Sequence, residues 1–239
     1  MINNIYKFKI LESKKLIHGV SSKLFRSIKN NGIINKKNLK KFLDAMRVDI
    51  KTVIFPEQVH GSRVVAINDS KKNYILNADG LITNKKNVFL GIVTADCLPV
   101  IFYDNKTGII GIAHAGYKGL LSGIVEEMLK VMKKMGADVE NMKIAIGPAI
   151  GVCCYEVSQE RIKMFKDVFK GIKTHKIRKG KYFLDLKNIA KQSLMSEGVA
   201  ESNIEVSDIC TKDNVKDFYS FRGEGPKNFG EFATIVGIL

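Results

Sequence analysis

Long apolar runs are missing from this sequence. The two longest, residues 88–95 and 98–103, are separated at Asp96 and fall well short of the ~20 residues a membrane span needs. No membrane partner is expected. Residues 1–11 carry Lys7 and Lys9 inside a short mixed stretch, which does not read as an export signal, so a cytoplasmic location is expected. Cysteine is scarce, with four in 239 residues, which argues against the disulfide framework of a small secreted domain. A bond between the adjacent Cys153 and Cys154 would be strained, and all four thiols are read as reduced.

Arginine is scarce as well. Only Arg26, Arg47, Arg63, Arg161, Arg178 and Arg222 stand among the 39 basic residues that give the chain its net charge of +15. Base-edge readers rely on the bidentate guanidinium fork. The one dense basic run, residues 175–181, reads as a loop without interleaved aromatics on which bases would stack. No nucleic-acid partner is expected, and the positive field suits small anionic ligands instead. Internal repeats, low-complexity tracts and Pro/Gly/Ser linkers are absent too, which predicts one domain over residues 1–239. A monomer is the expected state.

What is present organises readily. Residues 88–94, 99–103 and 109–113 are β-rich, and Asp104-Asn105-Lys106-Thr107-Gly108 is a turn cluster that makes the last two a hairpin in a buried sheet. Leu120, Leu121, Ile124, Val125, Met128, Leu129 and Met132 follow helical spacing, predicting a helix over 120–135 with a Glu126–Lys130 pair outside and Gly136 ending it. A strand over 143–146, a helix over 158–169, a helix capped by Asp185 and ended by Gly198, and strands over 204–207 and 232–238 follow. Strands outnumber a βαβ alternation, so the expected class is α+β, with mixed β-sheets flanked by helices.

Four histidines are present. His60 sits in Glu57-Gln58-Val59-His60-Gly61, His114 ends a strand before a glycine loop, and Cys97 interrupts a strand run; loops and strand ends are where sites are built. Two imidazoles and a thiolate would make an open zinc set, the catalytic arrangement. Spacing alone leaves two other readings open: a buried cysteine with two unrelated histidines, or Cys97 as a nucleophile activated by His60 or His114. The loop at Gly116 is a candidate anion cradle, with a tight packing turn as the plainer reading. Arg222, among aromatics and glycines, reads alone as a stacked surface residue.

Taken in order, Gln58-Val59-His60-Gly61, Ala78-Asp79-Gly80-Leu81-Ile82-Thr83, Thr94-Ala95-Asp96-Cys97-Leu98-Pro99, His114-Ala115-Gly116-Tyr117-Lys118-Gly119, Ile146-Gly147-Pro148-Ala149-Ile150 with Cys153-Cys154-Tyr155-Glu156, and Cys210-Thr211 ahead of residues 218–222 resemble the signatures of the YfiH/YlmD family, whose members carry laccase-domain names. The resemblance implies a zinc site at His60, Cys97 and His114, and about one zinc per chain. It implies phosphorolysis of adenosine, inosine, guanosine and methylthioadenosine, with adenosine deamination as an added activity. Lys23, Gln58, Lys118 and Arg222 are the candidates for substrate or phosphate binding. Cys153, Cys154 and Cys210 are read as packing residues not needed for turnover.

The chain departs from the family pattern at several positions. Ser22-Lys23-Leu24-Phe25-Arg26 replaces Thr-Arg-x-Gly-Gly, Tyr117 replaces Trp, Gly223 replaces a second Arg, and Glu231 stands where Arg is usual. These losses of positive charge predict weak phosphate affinity, with Lys23 and Lys118 as point-charge substitutes. A four-copper laccase centre needs roughly ten imidazoles, which four histidines do not supply; adventitious copper in the zinc site is the copper reading that remains. Two alternatives to the nucleoside enzyme are carried: an amidase removing a wrong first amino acid from a UDP-muramyl precursor, and a metal-binding interaction module.

Overall fold

The computed structural model describes residues 4–30, 32–69 and 74–239. Two six-stranded mixed sheets form its centre. In spatial order the first contains Ile5–Tyr6, Leu16–Ser21, Phe232–Ile238, Phe89–Thr94, Val53–Pro56 and Tyr74–Ile75; the second contains Ile204–Val206, Met142–Ile146, Leu98–Asp104, Ile110–Ala115, Gly80–Thr83 and Val64–Ala66. The expected α+β class holds. Antiparallel pairing dominates, but Val53–Pro56 runs parallel to Phe89–Thr94 and Met142–Ile146 parallel to Ile204–Val206.

Side-chain alternation along the strands produces three cores. Leu90, Ile92 and Val236 of the first sheet meet Ile101, Ile110 and Ile112 of the second in a shared core between them. The neighbouring residues point the other way. Phe89, Val93 and Ile235 pack under the helix Lys36–Met46 through Leu39, Phe42, Leu43 and Met46. Val100, Phe102 and Ile144 pack under Ile124–Lys134, Gln159–Val168 and Leu186–Ser196 on the far side. The result is a helix–sheet–sheet–helix stack, and burial on both faces explains why the central strands read as unbroken apolar runs.

Local signals place the helices well. Ser158 and Asp185 are N-caps whose side chains accept from the amides of Arg161 and Asn188. Gly136 and Gly198 take positive φ at the two ends expected of them. One expected helix divides, because Gly123 at φ +78° caps Ile124–Lys134 and leaves Tyr117–Leu121 as a separate turn. Within Ile124–Lys134, Lys130 pairs with Glu127 rather than with the expected Glu126. The lysine-rich run is not a loop: His175–Arg178 and Lys181–Leu184 form an antiparallel hairpin, joined by Glu156–Val157 in a three-stranded sheet. Ile5, Phe8 and Leu11 are buried, so most of the stretch before residue 12 is built into the fold, while residues 1–3 lie outside the description.

Candidate metal centre and substrate cavity

The short link from Thr94 to Leu98 crosses from the first sheet to the second, and Cys97 lies on that crossing. Alongside, His114 ends its strand opposite Pro99. His60 arrives from a separate loop and takes φ +62°, a left-handed backbone that the surroundings must hold in place. One ligand atom from each of the three residues lies within 4.8 Å of the other two.

Asp79 is what holds that geometry. Its fully buried carboxylate accepts the amides of Val59, His60 and Gly61 at 3.2, 3.0 and 2.7 Å and pairs with His114 Nδ1 at 2.8 Å. One carboxylate thus shapes the His60 loop and orients the His114 ring, leaving Nε2 for a metal; such outer partners fix the tautomer of a ligating histidine. Burial opposes ionisation of Asp79, but His114 and the amides of Gly61 and His60 outweigh it and hold the pKa below the usual range. Ala78-Asp79-Gly80 stands out as a motif in the sequence, yet nothing there reveals this role.

The three residues are a donor set that fits zinc. Burial opposes ionisation of the Cys97 thiol, but His114 and His60 draw its pKa well below the usual thiol range. A thiol inclined to be a thiolate beside two imidazoles is a soft-to-borderline donor set with room for a fourth partner. Gly116 confirms the crowding around it. A Cβ there would lie 3.0 Å from Cys97 Sγ and 3.1 Å from His60 Cδ2, so the glycine leaves space for the ligands, and the packing-turn reading replaces the anion cradle.

Above the ligands opens a cavity of about 510 Å³, within the size range of small-molecule sites. Tyr117, Tyr155, Phe221 and Phe229 supply aromatic wall, Arg161 and Arg222 supply positive charge, and Lys29 and Glu231 also line it. Arg161 lies 4.0 Å over the Tyr117 ring and Arg222 5.0 Å over that of Tyr155. Asp96 fastens this wall: its carboxylate accepts Thr211 Oγ1 at 2.6 Å and the Arg222 amide at 2.7 Å, and its carbonyl accepts the Ile150 amide. Buried Thr94 also lines the cavity, and its hydroxyl has no hydrogen-bond partner among the described residues. A larger groove of about 800 Å³ beside Arg63 and Glu126 contains none of the three metal-ligand residues.

The other sequence candidates divide. Arg222 is in the cavity. Gln58 lines it too, but donates to Val93 O and accepts from Val93 N, so it anchors its loop to the strand edge. Lys23 is committed elsewhere, to Glu224 at 2.7 Å, Val215 O at 2.6 Å and the Tyr219 ring. Lys118 is exposed and does not line the cavity. Arg161 and Lys29 are the cavity cations that sequence reasoning did not select, since contact between remote segments puts them there.

A family model described as multi-copper polyphenol oxidoreductase laccase matches residues 24–239. Purine nucleoside phosphorylase YlmD of Bacillus subtilis (strain 168) is 31% identical over 237 residues, covering 92% of this chain and 85% of that protein. The crystal structure of the Bacillus licheniformis hypothetical protein YfiH superposes with a TM-score of 0.87 at 27% identity, covering 99% and 100% of the two chains. This chain belongs to the YfiH/YlmD family. Another relative, adenosine deaminase RL5 from an unknown prokaryotic organism, is 30% identical over 189 residues, covering 74% of this chain and 72% of that one. The copper wording of the family description finds no multi-copper ligand set among the described residues. His18 is buried against Phe8 and His175 sits in the hairpin beside Tyr182, which leaves two histidines at the centre.

Proposed function

We propose that this chain is a zinc-dependent purine nucleoside enzyme. On this reading it phosphorolyses adenosine, inosine, guanosine and methylthioadenosine and also deaminates adenosine, in the cytoplasm and as a monomer. The observation that carries the reading is the position of an open His–Cys–His set at the base of a nucleoside-sized cavity with aromatic walls and two arginines. The names of the relatives, purine nucleoside phosphorylase and adenosine deaminase, support the same substrate class.

His60, Cys97 and His114 would hold the metal. When bound, zinc would supply Lewis acidity there. Tyr155, Phe221 and Phe229 offer the flat apolar surface on which a purine stacks and from which water is excluded. Arg161 and Arg222 bring positive charge to the cavity and are the groups we assign to phosphate binding, the role that Lys23 and Lys118 are not placed to fill. As the glycosidic bond breaks, its electron pair passes to the purine and a proton must follow. Glu231 lines the cavity, and burial raises its pKa against the pull of Lys29, His114 and His60; its carboxyl is the candidate we assign to that proton transfer.

A panel of nucleosides assayed with and without phosphate tests the proposal. Adenosine with phosphate should give adenine and ribose 1-phosphate at a rate that saturates with phosphate, and some inosine without it. Cys97→Ala should lose both products together with tightly bound zinc. Absence of both products at high enzyme concentration, with release of an amino acid from a UDP-muramyl precursor instead, would overturn the proposal in favour of the amidase.

A further inference from the structure

The remaining three cysteines are not scattered packing residues. Cys153 and Cys154 lie on the loop after Gly151, Cys210 and Asp213 on the turn after Ile204–Val206, and the two segments meet through the bridge between Ala149 and Cys210. One ligand atom from each of the four residues lies within 4.8 Å of all the others. The Cys153 and Cys154 thiols donate to opposite oxygens of Asp213 at 3.0 and 2.9 Å, and Cys210 Sγ accepts the Gly151 amide at 3.2 Å. Ligands around a tetrahedral zinc, with Zn–S of about 2.3 Å and Zn–O of about 2.0–2.2 Å, stand roughly 3.5–3.8 Å apart. Small side-chain shifts bring the four atoms to that spacing.

We propose that Cys153, Cys154, Cys210 and Asp213 form a second zinc site, a closed three-thiolate, one-carboxylate set of the structural kind. It contrasts with the open His–Cys–His set, and it does not depend on the nucleoside reading. Without a cation the Cys153 and Cys154 thiols are protonated donors to the Asp213 carboxylate. On coordination a divalent ion would displace the three thiol protons to solvent, without any change of oxidation state. Three thiolates and a carboxylate around a dication leave two negative charges. Lys187, fixed by Ser207 O and Ile209 O at 2.7 Å each, lies close enough to feel Cys210 and Cys153, and Lys212 and Arg222 share the neighbouring groove with Cys153 and Cys154.

The location gives the site a consequence. Thr211, next to Cys210, bonds Asp96, whose carbonyl holds Ile150 and whose neighbour is Cys97. A metal clamping the two loops would therefore stiffen the cavity wall from behind, and the expected zinc content rises from one to two per chain.

The Cys97→Ala chain, kept reduced, isolates the second site, and Co(II) alone serves as the probe. We expect uptake of about one cobalt with a strong thiolate charge-transfer band, displacement by Zn(II), and release of about three protons per metal at neutral pH. Adding Cys153→Ser and Cys154→Ser should abolish the band and weaken binding by more than about 100-fold, beyond the loss expected for an outer-shell partner. Should those variants fail to fold, alkylation of the Cys97→Ala chain decides: zinc should protect the remaining three thiols and a chelator should expose them. No cobalt uptake by folded Cys97→Ala protein, unchanged binding in the serine variants, zinc-independent alkylation, or a disulfide joining two of the three cysteines in the reduced sample would overturn the proposal.

Discussion

At the scale of single residues, the centre depends on a group that is not itself placed to bind metal. Asp79 shapes the loop that carries His60 and aims the ring of His114 with one carboxylate. Asp79→Asn keeps the size but places an amide where two oxygens accepted from three amides and a ring nitrogen. We expect zinc affinity to fall about 10- to 100-fold, the usual cost of losing an outer-shell partner, with the fold retained. Competition against a chelator of known affinity measures this; an unchanged affinity would show that the ligands are positioned without Asp79. Sequence patterning singled out His60, Cys97 and His114 because their residue types are rare and sit at strand ends. It could not rank Asp79, because its partners lie 18 to 35 positions away and are mostly backbone amides.

At the scale of elements, the site is built where strands end and loops turn. The helix caps and the hairpin were readable from local spacing, since a cap or turn is specified by residues three or four apart. Gly123 was the exception: its side-chain-free, positive-φ conformation interrupts a helical apolar stripe that periodicity alone carries straight through. Gly116 has an ordinary extended backbone, φ −74° and ψ 173°, so alanine fits its conformation but not its surroundings. Gly116→Ala should force Cys97 and His60 apart and weaken zinc binding about 5- to 150-fold, corresponding to an overpacking cost of 1–3 kcal/mol. The melting temperature of the metal-free protein should change little. Metal titration and thermal melts of the same samples check both halves, and tight zinc binding in the variant would mean that the ligands approach from another side.

At the scale of the whole molecule, one histidine outside the centre ties stability to pH. His18 lies in the strand Leu16–Ser21, where Nε2 accepts the Phe8 amide at 2.9 Å and Nδ1 has no partner among the described residues. Burial first, and the Lys7 ammonium second, lower its pKa to about 4. The unfolded chain takes up this proton near the ordinary value of ~6.5, the folded chain only near 4, so stability is present above pH ~6.5 and is lost as pH falls towards 4. The loss amounts to about 3 kcal/mol across that window. Urea denaturation at a series of pH values should show the slope in the native chain and a much smaller one in His18→Gln. Equal slopes in the two would assign the effect to other groups.

The sequence alone was enough for the α+β class, the positions of most helices and central strands, and the three residue types able to hold zinc. Those features rest on periodicity, caps and rare chemistry, which are local or compositional. Tertiary structure decided which charges serve the cavity. Lys23 was withdrawn by Glu224, while Arg161 and Lys29 were brought in from segments that no spacing rule connects. It also gathered Cys153, Cys154 and Cys210 around Asp213. Such convergence depends on how two stacked sheets and their loops meet in space, and that meeting is set by packing across the whole chain rather than by any window along it.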